Sequence, residues 1–491
     1  MTIRPPIREV GKQTTVYGAG NLLSKLAVFL LIPIYTRFLS VTEVGIVALL
    51  EVMEVFLSTV VPFGINAALW RNLPETTGKE DQKKLIMSGF TGTLLADFVV
   101  LGIIALTYRS LAPFLGLTEA DSWLTLIVIV NVFLGVGYRF ILGLWQYEGR
   151  ATRFVVLSLA QFVGVLLVTI LFVVDFGWGI RGVVLARTIV YGAIFVVSAI
   201  FIVLPHLCVP SVAVYRSLVT FGAPLVLLAL VTPVLTFSDR VFMRLYVSLE
   251  DIGIYSIAYK FGMLINMVLV IPLRRAWSPM MYRLGVGRES HEFHRDVLFY
   301  YAVTGAMIFL GVSLFSVDIL KVAATREYLS GAYLIPVITL AYFFNGFRQF
   351  FVAGAALSNK TPRLAYAASG GVAVNLILNF FLIRYFGVPG AAWSTVISYV
   401  VLTSLVYLSS QSLVAIDWKW SRLRGLVIIM FAVYGLTLAL QSWLESWLGL
   451  WAVLGIVSFP VLLWVAGIIG PRELKGFKSV LVMLKPGREK A

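Results

Sequence analysis

The chain has 491 residues, 60% hydrophobic and 13% charged, with a mean hydropathy of +0.93 and a formal net charge of +15. Soluble domains carry about 25% charged residues, so this composition excludes water as the main solvent of the surface. A single cysteine, Cys208, excludes an internal disulfide.

The first 13 residues are polar and the apolar run after them is full length, so no cleavable leader is expected. Apolar runs long enough for a bilayer core of about 30 Å recur from Thr14 to Gly470. Runs such as Phe154 to Val174 do not alternate as barrel strands do, so the spans read as helices. Fourteen are expected, at 14–36, 44–66, 85–108, 122–145, 152–174, 180–204, 217–240, 252–273, 297–317, 330–352, 364–385, 388–412, 424–442 and 447–470.

The connections on the N-terminal side of these spans hold 26 Lys and Arg and those on the opposite side hold 8. Both termini are therefore expected in the cytoplasm. The same asymmetry accounts for the net charge without a nucleic-acid partner. Arg274–Arg295 reads as the most basic loop, suited to topology or to lipid headgroups and substrate phosphate.

A repeat runs through the chain at an offset of about 208–210. Glu43–Val47 matches Asp251–Tyr255, and Gly137-Tyr138-Arg139 matches Gly346-Phe347-Arg348. Gly149-Arg150 matches Asn359-Lys360, and the stretch from Phe176 matches that from Phe386. Each unit holds six spans, so both have one orientation, with a symmetry axis along the membrane normal. The expected organisation is residues 1–210 and 211–418 as two six-span lobes, then 419–491 with two further spans and a tail.

The stretch Tyr17 to Phe56 resembles the opening of the polysaccharide transport family, within the multidrug/oligosaccharidyl-lipid/polysaccharide exporter superfamily. The matching features are Pro33 to Arg37 at the end of span one and Glu43-Val44-Gly45 at the start of span two. Asp239-Arg240 and Asp251-Ile252-Gly253 repeat them in the second half. The resemblance implies an all-α integral membrane protein, two six-helix lobes in a V around a central cavity, plus two extra C-terminal helices. It also implies flipping of a lipid-linked sugar in the cytoplasmic membrane, as in Wzx-type flippases.

The spans hold Lys25, Arg139, Arg187, Lys260 and Arg348 against Glu51, Glu54 and Asp97. Each such charge costs about 2.5–3.5 kcal/mol at mid-bilayer on the mildest scales, so these residues should face a watery cavity or one another. Lys25, with Asn21 one turn away, Arg139, Arg348 and Lys260 are the candidates for substrate phosphate or acidic sugar. Arg139 and Arg348 would form a basic ring in the cytoplasmic half. Glu51 and Glu54, three apart on one helix face, are candidates for gating or ion coupling. They could bridge to Lys260 across an outer gate, bind a coupling cation, or pair with Lys25. Asp97 is grouped with them, with a structural hydrogen bond as its plainer role, and Arg187 reads as structural.

No phosphate-binding G-x-x-x-x-G-K-[ST] loop occurs, His291-Glu-Phe-His294 lacks zinc-protease spacing, and no large polar loop could house an enzyme site. No cofactor or metal is expected, and H+ or Na+ coupling stays open. The function indicated is export of an isoprenoid-pyrophosphate-linked oligosaccharide for cell-surface polysaccharide. A MATE-like drug exporter and a non-transporting scaffold of an envelope-synthesis complex are the rivals. Partners are the lipid-linked substrate and membrane lipids, and the setting admits other polysaccharide-assembly proteins.

Overall fold

A computed structural model describes residues 27–285, 288–443 and 448–470, and among them there is helix and no strand. The long helices in chain order are α1 (Ile32–Phe38), α2 (Val41–Val60), α3 (Ile65–Asn72), α4 (Lys79–Ala105), α5 (Trp123–Tyr147), α6 (Ala151–Thr169), α7 (Gly179–Val203) and α8 (Val212–Tyr246). They are followed by α9 (Leu249–Gly262), α10 (Ile271–Leu284), α11 (Arg288–Leu314), α12 (Leu334–Phe351), α13 (Thr361–Phe386), α14 (Val388–Gln411), α15 (Trp420–Trp443) and α16 (Leu448–Val465).

Among the described residues ten helical segments are long and apolar enough to cross a membrane, and α2 with α3, bent by 43°, makes an eleventh. The expected count of fourteen is thus not reached by length and composition. Of the other three expected spans, 14–36 lies largely outside the described residues, which include its end as the apolar helix Phe29–Phe38, and the remaining two fall on the shorter helix Gly449–Val465 and on the more polar α12, which carries Asn345, Arg348 and Gln349.

The chain divides into two compact units, residues 1–256 with 379–388, and residues 257–378 with 389–491. The first unit therefore takes in α8 and the start of α9, beyond the expected boundary at 210. Its core gathers Ile65, Leu69, Phe90, Phe140, Trp145 and Leu218 from α3, α4, α5 and α8. In the second unit α11 packs on α12, and α15 on α16 and α11.

The repeat is written in the backbone. Ser40 caps α2 in a reciprocal box with Glu43, and Ser248, 208 residues on, exchanges the same bonds with Asp251. Gly149 and Asn359, 210 apart, both adopt left-handed conformations at a helix end (φ 71° and 55°). In both turns the following N–H, of Arg150 or Lys360, donates to the carbonyl five residues back. Gly177 and Gly387 are likewise both left-handed, at φ 66° and 60°.

Two expected loops are helical instead. The Arg274–Arg295 connection continues through α10 to Leu284 and resumes in α11 at Arg288. His294 is 0% exposed on α11, its ring edge-on to Trp277 at 4.8 Å, rather than in a solvated loop. Arg240, the last residue of the expected span 217–240, lies well inside α8, because that helix runs on to Tyr246 through Pro224 and Pro233.

Candidate functional site

Charged side chains at membrane depth gather differently in the two units. In the first, α2 presents Glu51 and Glu54 on one face toward α7. Arg187 of α7 divides its guanidinium between them, with Nη2 at 2.6 Å from Glu51 and Nη1 at 3.1 Å from Glu54. All three side chains are between 16% and 25% exposed. A guanidinium suits this role because its donors form a planar fork that can serve two acceptors at once. Arg187, read from sequence as merely structural, is thus the organising cation of both carboxylates. Its signal was a lone arginine eight residues into a span.

Arg139 corrects an expectation. Its side chain is expected in a basic ring of the cytoplasmic half. Instead it folds back toward the start of α5, over Gly135, and Nη2 donates to the Val132 carbonyl at 3.1 Å. Helical side chains lean toward the N-terminus, and Gly135 leaves the space: a Cβ there would sit 2.7 Å from the guanidinium. Among the described residues no carboxylate lies within salt-bridge distance of Arg139, although Asp97 and Glu54 act on it electrostatically. Asp97 on α4 is 0% exposed, and neither of its oxygens has a hydrogen-bond partner among the described residues. The structural hydrogen bond expected of it is not formed.

Sequence reasoning also missed a buried network on α8 and α9, though it quoted Asp239-Arg240 as a repeat motif. Arg240 donates to Asp239 at 2.9 Å and to the Thr236 carbonyl at 2.6 Å, and the Tyr255 hydroxyl donates to Asp239. Asn379 of α13 reaches Ser238 at 3.0 Å.

In the second unit Arg348 lies on α12 with Nε donating to Asn345 Oδ1 at 3.2 Å. Arg274 adds a second positive charge to its surroundings. Lys260 is on α9 and half-buried. Lys25 and Asn21 lie outside the described residues. No carboxylate is encoded between Ile252 and Arg288, or between Tyr328 and Ile416. The charges on α10, α12 and α13 are therefore all basic, and α14 carries none. Among the described residues no cluster of three or more metal-ligating side chains occurs.

Long apolar helices with arginines and carboxylates buried among them define a polytopic membrane protein. The family described as "Polysaccharide biosynthesis protein" matches residues 10–284, more than half of the chain, and this chain belongs to that family. No curated protein sequence matches. Among solved structures, the lipid II flippase MurJ in an inward closed conformation aligns at TM-score 0.74 and 15% identity, covering 93% of this chain and 100% of MurJ. An inward-facing multidrug resistance MATE family transporter of the MOP superfamily aligns at 0.63 and 14%, covering 84% and 99%. The Vibrio cholerae MATE transporter VcmN, in its bent form, aligns at 0.52 and 13%, covering 82% and 96%. At these identities the likeness establishes a shared fold.

Proposed function

We propose that this protein moves an isoprenoid-pyrophosphate-linked oligosaccharide across the cytoplasmic membrane for cell-surface polysaccharide synthesis, and that it is not an enzyme. The carrying observation is the setting of Arg348 at membrane depth. Arg348 is held by a neutral amide, not by a carboxylate, and has Arg274 for a neighbour. A cation kept at membrane depth without a paired acid is costly, and an anionic ligand that visits it offsets that cost. Pyrophosphate offers the guanidinium short, charge-assisted bonds that replace its lost hydration. Membership of the polysaccharide family supports the same substrate class, and the likeness to a lipid II flippase supports a lipid-linked one.

The drug-exporter reading needs a negative site for a cationic drug. Glu51 and Glu54 are the nearest to one, and both are engaged by Arg187. Purified protein in proteoliposomes separates the readings. A fluorescent lipid-pyrophosphate glycan should cross in a protein-dependent way, while a lipophilic cation should not accumulate under an imposed H+ or Na+ gradient. Cation transport without glycan-lipid transport would favour the exporter, and neither activity would favour the scaffold.

A further inference from the structure

Two cavities of opposite character meet at the start of α15, both within the second unit. The first, of about 410 Å³, is apolar and is walled by Phe347, Phe351, Tyr407 and Trp420, with Arg424 on its rim. Its aromatic wall is continuous: Phe351 stands 5.2 Å from Tyr407, and Tyr407 meets Trp420 edge-on at 5.3 Å. The second, of about 370 Å³, is polar and lies between the first turns of α11 and the residues leading into α15. Arg295, Lys419 and Arg422 line it together with Glu292 and Asp296. Leu423 belongs to both walls.

The position of this pair in the membrane follows from its residues. α15 is long and apolar enough to span, and Trp420 begins it at 41% exposure. Tryptophan and tyrosine at a span's end mark the headgroup level. The apolar cavity thus lies on the hydrocarbon side of that level and the polar one on the aqueous side. Four basic groups face two carboxylates across the pair, and one of those carboxylates, Asp296, is already 3.7 Å from Arg295. The surplus is positive, and the N-terminus of a 24-residue helix points into it. Trp418, 3% exposed on the polar cavity's wall, keeps an indole N–H with no acceptor among the described residues.

We infer that these paired cavities form a site for one anionic diacyl phospholipid, with an acyl chain against Phe347, Phe351 and Tyr407 and the phosphate held by Lys419, Arg422 and Arg424. The volume of the apolar cavity falls within the range of about 300–1,000 Å³ usual for ligand sites. Arginine stems can lie along the apolar wall while their heads reach the phosphate. The site is separate from Arg348's proposed role and does not depend on the transported substrate.

The test is native mass spectrometry of the delipidated full-length protein, titrated with phosphatidylglycerol, phosphatidylcholine or glycerol phosphate, with melting temperature read in parallel. Phosphatidylglycerol should bind at least about tenfold more tightly than phosphatidylcholine and raise the melting temperature, and glycerol phosphate should not bind. Each basic residue near the surface contributes about fivefold, so Lys419→Ala with Arg424→Ala should weaken phosphatidylglycerol by about 25-fold. Ser404→Trp, at an exposed position on the same wall, should fill the apolar cavity and weaken phosphatidylglycerol, with the lipid-free melting temperature as the control. Equal binding of the two lipids would overturn the inference in favour of a crevice filled by bulk lipid. Binding of glycerol phosphate alone would overturn it in favour of a free-phosphate site, and unchanged affinity in both variants would place the lipid elsewhere.

Discussion

Arg187 holds two carboxylates with one charge, so the trio carries a net charge of −1 within the bundle. Removing the arginine would leave Glu51 and Glu54 facing each other with no shared cation. Losing one member of a buried pair costs about 3–5 kcal/mol, and the partial exposure of this trio brings the figure toward about 2–3 kcal/mol. Arg187→Ala should lower the melting temperature in detergent, and adding Glu51→Gln with Glu54→Gln should recover most of the loss. A wild-type melt for Arg187→Ala would contradict the assignment. Asp97 calls for a different substitution. Its buried oxygens have no described partner, so a neutral amide of the same shape should fit as well as the acid. Asp97→Asn is expected to melt at or above the wild-type temperature, and a clear loss of stability would show that the carboxylate is required in its charged form.

Between helices, the junction of α2 with α9 depends on two glycines 208 residues apart. A Cβ on Gly45 would overlap the Leu249 carbonyl, and one on Gly253 would overlap the Val41 carbonyl. Leu249 is itself the repeat partner of Val41, so the contact is reciprocal, as expected of surfaces related by a two-fold axis. Thr42 reaches Glu250 at 3.4 Å, also across 208 residues. Gly45→Val and Gly253→Val should each destabilise by about 1–3 kcal/mol through overpacking. Gly102→Val on α4, where nothing lies within 4 Å, should be close to neutral in a parallel thermal melt. Equal melts for all three would remove the close approach as a structural requirement. This scale also separates what was legible from what was not. The duplication could be read because Glu43, Gly149 and Gly177 and their partners occupy helix caps and turns where backbone geometry demands such residues. Depth-wise pairing could not be read. One-dimensional spacing gives a residue's height in its helix but not which helix it faces, so Glu51 and Glu54 were not joined to Arg187. The direction in which Arg139 leans was hidden because it depends on the space left by Gly135. Helix ends were misjudged where polar residues continue a helix beyond the apolar run, as at Arg240 and along α10.

For the whole molecule, the family and the all-helical fold agree with the class of protein expected from composition and from the opening of the sequence. The basic asymmetry of the connections, 26 against 8, predicts that a reporter active only outside the cytoplasm gives no signal when fused after Ala491. A strong signal there would reverse the topology. The central claim is that Arg348, held at membrane depth by the Asn345 amide and not by a carboxylate, serves an anionic lipid-linked headgroup. The most direct measurement is the initial rate at which proteoliposomes translocate a fluorescent isoprenoid-pyrophosphate oligosaccharide, compared among wild type, Arg348→Lys and Arg348→Ala at matched protein incorporation. Loss of one charge-assisted contact of about 1.5–3 kcal/mol predicts a fall of about tenfold or more for Arg348→Ala, with Arg348→Lys retaining an intermediate rate. A wild-type rate for Arg348→Ala would contradict the account.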